Sequence, residues 1–104
     1  MGIKKKKKIL ELQQQTLWFQ LKQVRHYLRE KELDDEDLIK VLESDKVKGI
    51  TALFLEFNEI GDEGVKALAA CDKMKFLTAL NLFKNSTTDE GAKALAQSKN
   101  MLNL

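Results

Sequence analysis

The chain has 104 residues, with 18 basic and 16 acidic side chains, one histidine, one cysteine and no proline. That length supports one compact unit, burying somewhat over ~60% of the surface its unfolded form exposes. A single cysteine excludes an internal disulfide framework, and no apolar run approaches the roughly 20 residues needed to span a bilayer. A soluble, intracellular protein with a cytoplasmic location is the expectation.

The formal charge of +2 is unevenly distributed, because five lysines form one run, Lys4 to Lys8, and the remaining 13 basic residues face 16 acidic ones. A mildly acidic body argues against nucleic-acid binding by the folded part. The start "MGIKKKKKIL" lacks a signal-peptide apolar region and cleavage site, and Lys6 stands where a myristoylation motif requires Ser or Thr. Residues 1–8 read as a basic disordered tail, since blocks of like charge are usually solvated. A nuclear-import address is a minority reading of the run. So is weak contact with anionic membrane lipid or another polyanion, with "ILELQQQTLWF" continuing a basic amphipathic helix.

Residues 9–23 contain no helix breaker and carry Leu10, Leu17 and Leu21 near helical spacing, with Val24 next in the series. A helix capping the first coil of a repeat array is expected here, with Trp18 and Phe19 packed beneath it.

From residue 24 onward the chain repeats itself. Residues 50–76 and 77–103 align without a gap and agree at 13 of 27 positions, including Leu53/Leu80, Leu55/Leu82, Asn58/Asn85, Asp62/Asp89, Gly64/Gly91 and Leu68/Leu95. Each unit opens with apolar residues at the spacing L-x-x-L-x-L-x-x-N, as Ile50, Leu53, Leu55 and Asn58 and again as Leu77, Leu80, Leu82 and Asn85, and alternation at the last two leucines marks a short strand. An asparagine placed after it can bond the main chain of a turn. The second half of each unit, "GDEGVKALAA" or "TDEGAKALAQ", reads as a helix capped by Asp62 or Thr88, with Val65, Leu68 and Ala69 on one face. Upstream, "ELDDEDLIKVLESDKVKGI" matches residues 59–77 at an offset of 27, pairing Leu33 with Ile60, Asp35 with Asp62 and Val41 with Leu68. Residues 24–49 therefore form a degenerate first repeat. Its strand is expected near Val24 to Leu28, although only Leu28 fits the leucine pattern, and this piece reads equally as a continuation of the preceding helix.

Over residues 28–104 these units resemble leucine-rich repeats of the ribonuclease-inhibitor-like subtype. The "N-x-I-G-D-E-G-x-x-A-L-A" phrase is similar to repeats of bacterial members, some of which are effectors delivered into host cells. The resemblance implies an α/β, short right-handed solenoid, with parallel strands on the concave face, helices on the convex face and an N-terminal capping helix. It also implies protein binding through the concave face. Thr87-Thr88 replaces the Ile60-Gly61 turn of the preceding unit, so a looser second coil is expected.

Chemistry is sparsely represented. His26 and Cys71, read as a surface histidine and a core cysteine, have no evident partner to orient them, and together they cannot complete a four-ligand zinc site. No cofactor, metal or enzymatic activity is expected. "DDED" at Asp34 to Asp37 and both "DEG" motifs fall at helix starts, where capping is a better account than calcium binding. "NST" at Asn85 to Thr87 is a formal glycosylation sequon, read as incidental.

The candidate site is the sheet face. With Leu53, Leu55, Leu80 and Leu82 inward, Phe54, Glu56 and Phe57 of one coil and Asn81, Phe83 and Lys84 of the next are expected to point outward. Arg25, Tyr27 and Arg29 extend the patch if the first strand forms. Aromatic groups ringed by charge mark a protein-binding surface. The competing reading is that the N-terminal helix covers it. A homodimer through the C-terminal edge strand is a further expectation. The other readings are an N-terminal part of a longer repeat protein and a basic-tail adaptor for membrane or nucleic acid.

Overall fold

The structure, a computed structural model, describes residues 24–104. The lysine tail and the expected helix at residues 9–23 lie outside the described residues. Three strands, β1 (Arg25–Tyr27), β2 (Ala52–Phe54) and β3 (Ala79–Asn81), form a parallel sheet in the order β1-β2-β3. Arg25 pairs with Ala52 and Ala52 with Ala79, so the 27-residue sequence offset is the strand register. Helices α1 (Asp35–Glu43), α2 (Asp62–Ala70) and α3 (Asp89–Ala96) follow their strands in turn, packed α1 on α2 and α2 on α3. This is an α/β repeat fold.

Residues 25–27 are strand. Only Leu28 fits the leucine pattern because His26 holds the register position of Leu53 and Leu80. Main-chain pairing overrides that weak local signal: the Thr51 N–H donates to the Val24 carbonyl at 2.8 Å and the Leu28 N–H to that of Phe54 at 2.8 Å. The Thr51 hydroxyl also donates to Val24 O, and one coil later Thr78 does the same to Thr51 O.

The core lies between sheet and helices. Leu53 and Leu55 from the β2 coil meet Leu38, Val65 and Leu68 from the helices, with Ile50, Ile60, Met74 and Leu77 in the connections. All are essentially inaccessible, and burying each such side chain stabilises by about 1.5–3 kcal/mol. Leu80, Leu82 and Leu95 occupy equivalent places in the last coil but are only half-buried.

The first helix start is capped locally and the next two are held by the preceding coil. Asp34 caps α1 in a reciprocal capping box with Asp37, as the acidic run suggests. For α2 the expected cap is displaced: Gly61 is the N-cap, and its N–H donates to Asp35 of the previous coil at 2.6 Å. Asp62 in turn serves the next coil, accepting from the N–H and hydroxyl of Thr88 and from the Gly91 N–H. Thr88 holds the N-cap position of α3 without a capping bond from its own side chain. The Thr87 hydroxyl donates to Ile60 O at 3.1 Å, so the two threonines tie this coil to its neighbour. The last carbonyls are treated similarly: Lys73 donates to Leu42 O at the end of α1, and Ser98 and Asn100 to Ala69 O at the end of α2.

Candidate functional site

The turn after each strand builds the site. Glu30, Phe57 and Lys84, spaced by 27, all adopt left-handed backbone with φ of 54°, 57° and 57°. Simple alternation places residue 57 on the inward side with Leu53 and Leu55; the left-handed turn reverses this, so Phe57 faces solvent and Asn58 enters the core. Asn58 then donates to the carbonyls of Leu28 and Leu55 at 2.8 and 2.9 Å and accepts from the N–H groups of Lys31 and Leu33. Asn85 repeats the pattern with Leu55 and Leu82 as acceptors and the Ile60 N–H as donor. Any L-residue other than Gly, Asn or Asp pays a steric cost in this conformation. A phenylalanine at residue 57 is thus not explained by backbone geometry.

Two aromatic pairs lie on the sheet side. Tyr27 and Phe54, in register across β1 and β2, stack with centroids 4.9 Å apart and planes at 9°. Phe57 and Phe83 meet edge to face at 5.7 Å and 85°. Arg29 lies 5.0 Å from the Phe57 ring centre and Lys84 5.6 Å from that of Phe83, within the range of cation–π attraction. The Asn81 side chain accepts from the Phe83 N–H at 3.0 Å and orients that turn. Tyr27, Phe57 and Phe83 are 64%, 41% and 59% exposed, whereas Phe54 is half-buried.

Glu56 follows Phe54 on the same side of the strand. Its carbonyl accepts the Glu30 N–H, which sets it across the sheet from Arg29, with Phe83 on the other flank at the repeat offset. Its Oε1 is buried and has no hydrogen-bond partner among the described residues. Arg29, the neighbouring cation, instead approaches Glu30 at 3.5 Å.

The perturbed ionisations belong to the helices. Hydrogen bonds from the Thr88 hydroxyl and main chain hold the Asp62 carboxyl below the usual carboxylate range. The Asp37 N–H does the same for Asp34. Glu63 and Glu90 raise Lys66, which lies 3.5 Å from each.

His26 is half-buried opposite Leu53, which corrects the reading of a surface histidine, while Cys71, a free thiol at the end of α2, is partly buried and packs against the core. Among the described residues no cluster of three or more His, Cys, Asp or Glu is placed to hold a metal, and no helix is long and apolar enough to cross a membrane. Phe76, 43% exposed with the Lys75 ammonium 5.1 Å from its ring, went unrecognised in the sequence. It precedes the strand, outside any alternating pattern.

No curated protein and no solved structure gives a significant match to the chain. The leucine-rich repeat family model matches residues 50–69 and 73–96. Those two stretches, which supply β2, α2, β3 and α3, are leucine-rich repeats.

Proposed function

We propose that the chain is a non-catalytic protein-binding module whose recognition surface is the sheet face formed by Tyr27, Arg29, Phe54, Glu56, Phe57, Asn81, Phe83 and Lys84. Leucine-rich repeats generally bind proteins. The observation that carries the reading is the contiguous exposure of Phe57 and Phe83, in edge-to-face contact and each beside a cation. Exposed aromatic anchors rimmed by charge are the composition of interface hot spots. In this reading the coils form a right-handed, ribonuclease-inhibitor-like solenoid and the sheet is its concave face. A cytoplasmic location, or delivery into a host cell as an effector, suits a surface with this task. Affinity capture with Phe57→Ser/Phe83→Ser as control tests the proposal. Loss of the captured partner with the thermal midpoint nearly retained supports it; unchanged capture overturns it.

A second reading, self-association through β3, is favoured by the half-burial of Leu80, Leu82 and Leu95 where their counterparts Leu53, Leu55 and Leu68 are at most 1% exposed. β3 has a strand neighbour on one side only among the described residues. Sedimentation at micromolar concentration should then show a dimer that Leu82→Lys dissociates. A monomer unaffected by that substitution removes this reading.

A further inference from the structure

Resting on the protein-binding reading, we propose that the sheet face takes a basic side chain of its partner, a lysine or arginine flanked by acidic residues, whose cationic group docks on Glu56. Buried polar atoms are almost always hydrogen-bonded, and an exception at a surface site calls for a reason. Among the described residues Glu56 Oε1 is such an exception. A desolvated carboxylate oxygen is stabilised by a charged donor far more than by a neutral one. The described cation nearest in register does not supply it: Arg29 stands over the Phe57 ring and beside Glu30.

The surroundings suit a cation. Glu56 lies two residues after Phe54, directly before Phe57 and across from Phe83, and the rings of Phe57 and Phe83 already attract Arg29 and Lys84. Arg29 is opposite Glu56 in the repeat register, Lys84 follows Phe83 on the other flank, and both cations are exposed. Acidic residues next to the incoming lysine or arginine complement them, so the charge order on the partner is negative, positive, negative. Phe57 and Phe83 supply apolar area, and Glu56 supplies selectivity.

The probe is an array of immobilised synthetic peptides carrying a central arginine or lysine between acidic residues, with matched peptides in which norleucine replaces the central residue. The full chain should bind the basic peptides at least tenfold tighter than the norleucine set. Glu56→Gln should erase that difference while leaving the thermal midpoint in place. Equal binding of the two sets, absence of binding to the basic set, or a preference surviving in Glu56→Gln overturns the proposal. So does a large drop in midpoint for Glu56→Gln without any basic preference, which assigns Glu56 an internal role. If capture of a protein still depends on Phe57 and Phe83 while the basic preference is absent, the pairing with Glu56 fails and the protein-binding reading stands.

Discussion

The Gly91 N–H donates to Asp62 Oδ1 at 3.0 Å, and a β-carbon built on Gly91 would stand 2.6 Å from that same oxygen. One coil earlier the relationship recurs: a β-carbon on Gly64 would lie 2.5 Å from Asp35 Oδ1. The "D-E-G" motif is thus an interlock between coils, in which the aspartate of one unit reaches the helix start of the next and glycine clears its path. Asp37 holds the corresponding position in the first unit.

Alanine usually favours a helix over glycine by about 1 kcal/mol, so the interlock makes a prediction of opposite sign. Gly64→Ala should lower stability by about 1–3 kcal/mol through steric overlap. The double variant with Asp35→Ala should lose less than the sum of the two single changes, because removing the carboxylate also removes the overlap. Urea denaturation of the four proteins in the cycle measures this. Additive losses would separate the glycine from the aspartate.

Acid sensitivity follows from Asp62. Its carboxyl is held below the unfolded value, about 3.9, by Thr88 and Gly91. A group with a depressed folded pKa contributes stability that is fully present above the unfolded value and is lost as pH falls through the folded one. The thermal midpoint should therefore fall on acidification below about pH 4, and Asp62→Asn should make that fall shallower while lowering the midpoint at neutral pH. An unchanged acid slope would assign the loss to other carboxylates.

Asn58 and Asn85 hold equivalent turns with unequal bonding. Asn58 accepts from two main-chain N–H groups, Lys31 and Leu33, where Asn85 accepts from Ile60 alone. Asn58→Ala leaves more buried main chain unpaired and should cost on the order of 1–3 kcal/mol, exceeding the loss for Asn85→Ala. Chemical denaturation midpoints give the comparison directly.

Phe57 separates binding from folding. Asn tolerates the left-handed backbone, so Phe57→Asn relieves roughly 1 kcal/mol of strain. It also forfeits the edge-to-face contact with Phe83, worth about 0.5–1.5 kcal/mol. The terms nearly cancel, and stability should change by no more than about 0.5 kcal/mol while capture of a protein partner falls at least tenfold. Strong destabilisation would instead make the ring a structural element.

The repeat was legible because identical residues recur at one spacing, and Leu53, Leu55, Val65 and Leu68 take the buried places their periodicity assigns. What the sequence concealed involves contacts between coils. Asp62 looks like a local cap, yet its partners Thr88 and Gly91 lie 26 and 29 residues away. The Asp-x-Gly pairing at the repeat period was the available signal. On the sheet face, alternation placed Phe54 and Glu56 outward but could not account for Phe57, whose exposure depends on a left-handed turn shared with Glu30 and Lys84. Nor does any spacing rule encode that Glu56 Oε1 is buried without a hydrogen-bond partner among the described residues while Arg29 stands beside Glu30.

The central claim, that partners engage the sheet face, is tested most directly by photo-crosslinking with p-benzoylphenylalanine in place of Phe83 or of Ile39, which is 37% exposed on α1 among the helices. The same protein partner should be trapped in high yield from position 83 and not from position 39. Trapping from the helix position, with none from the sheet, would contradict the account.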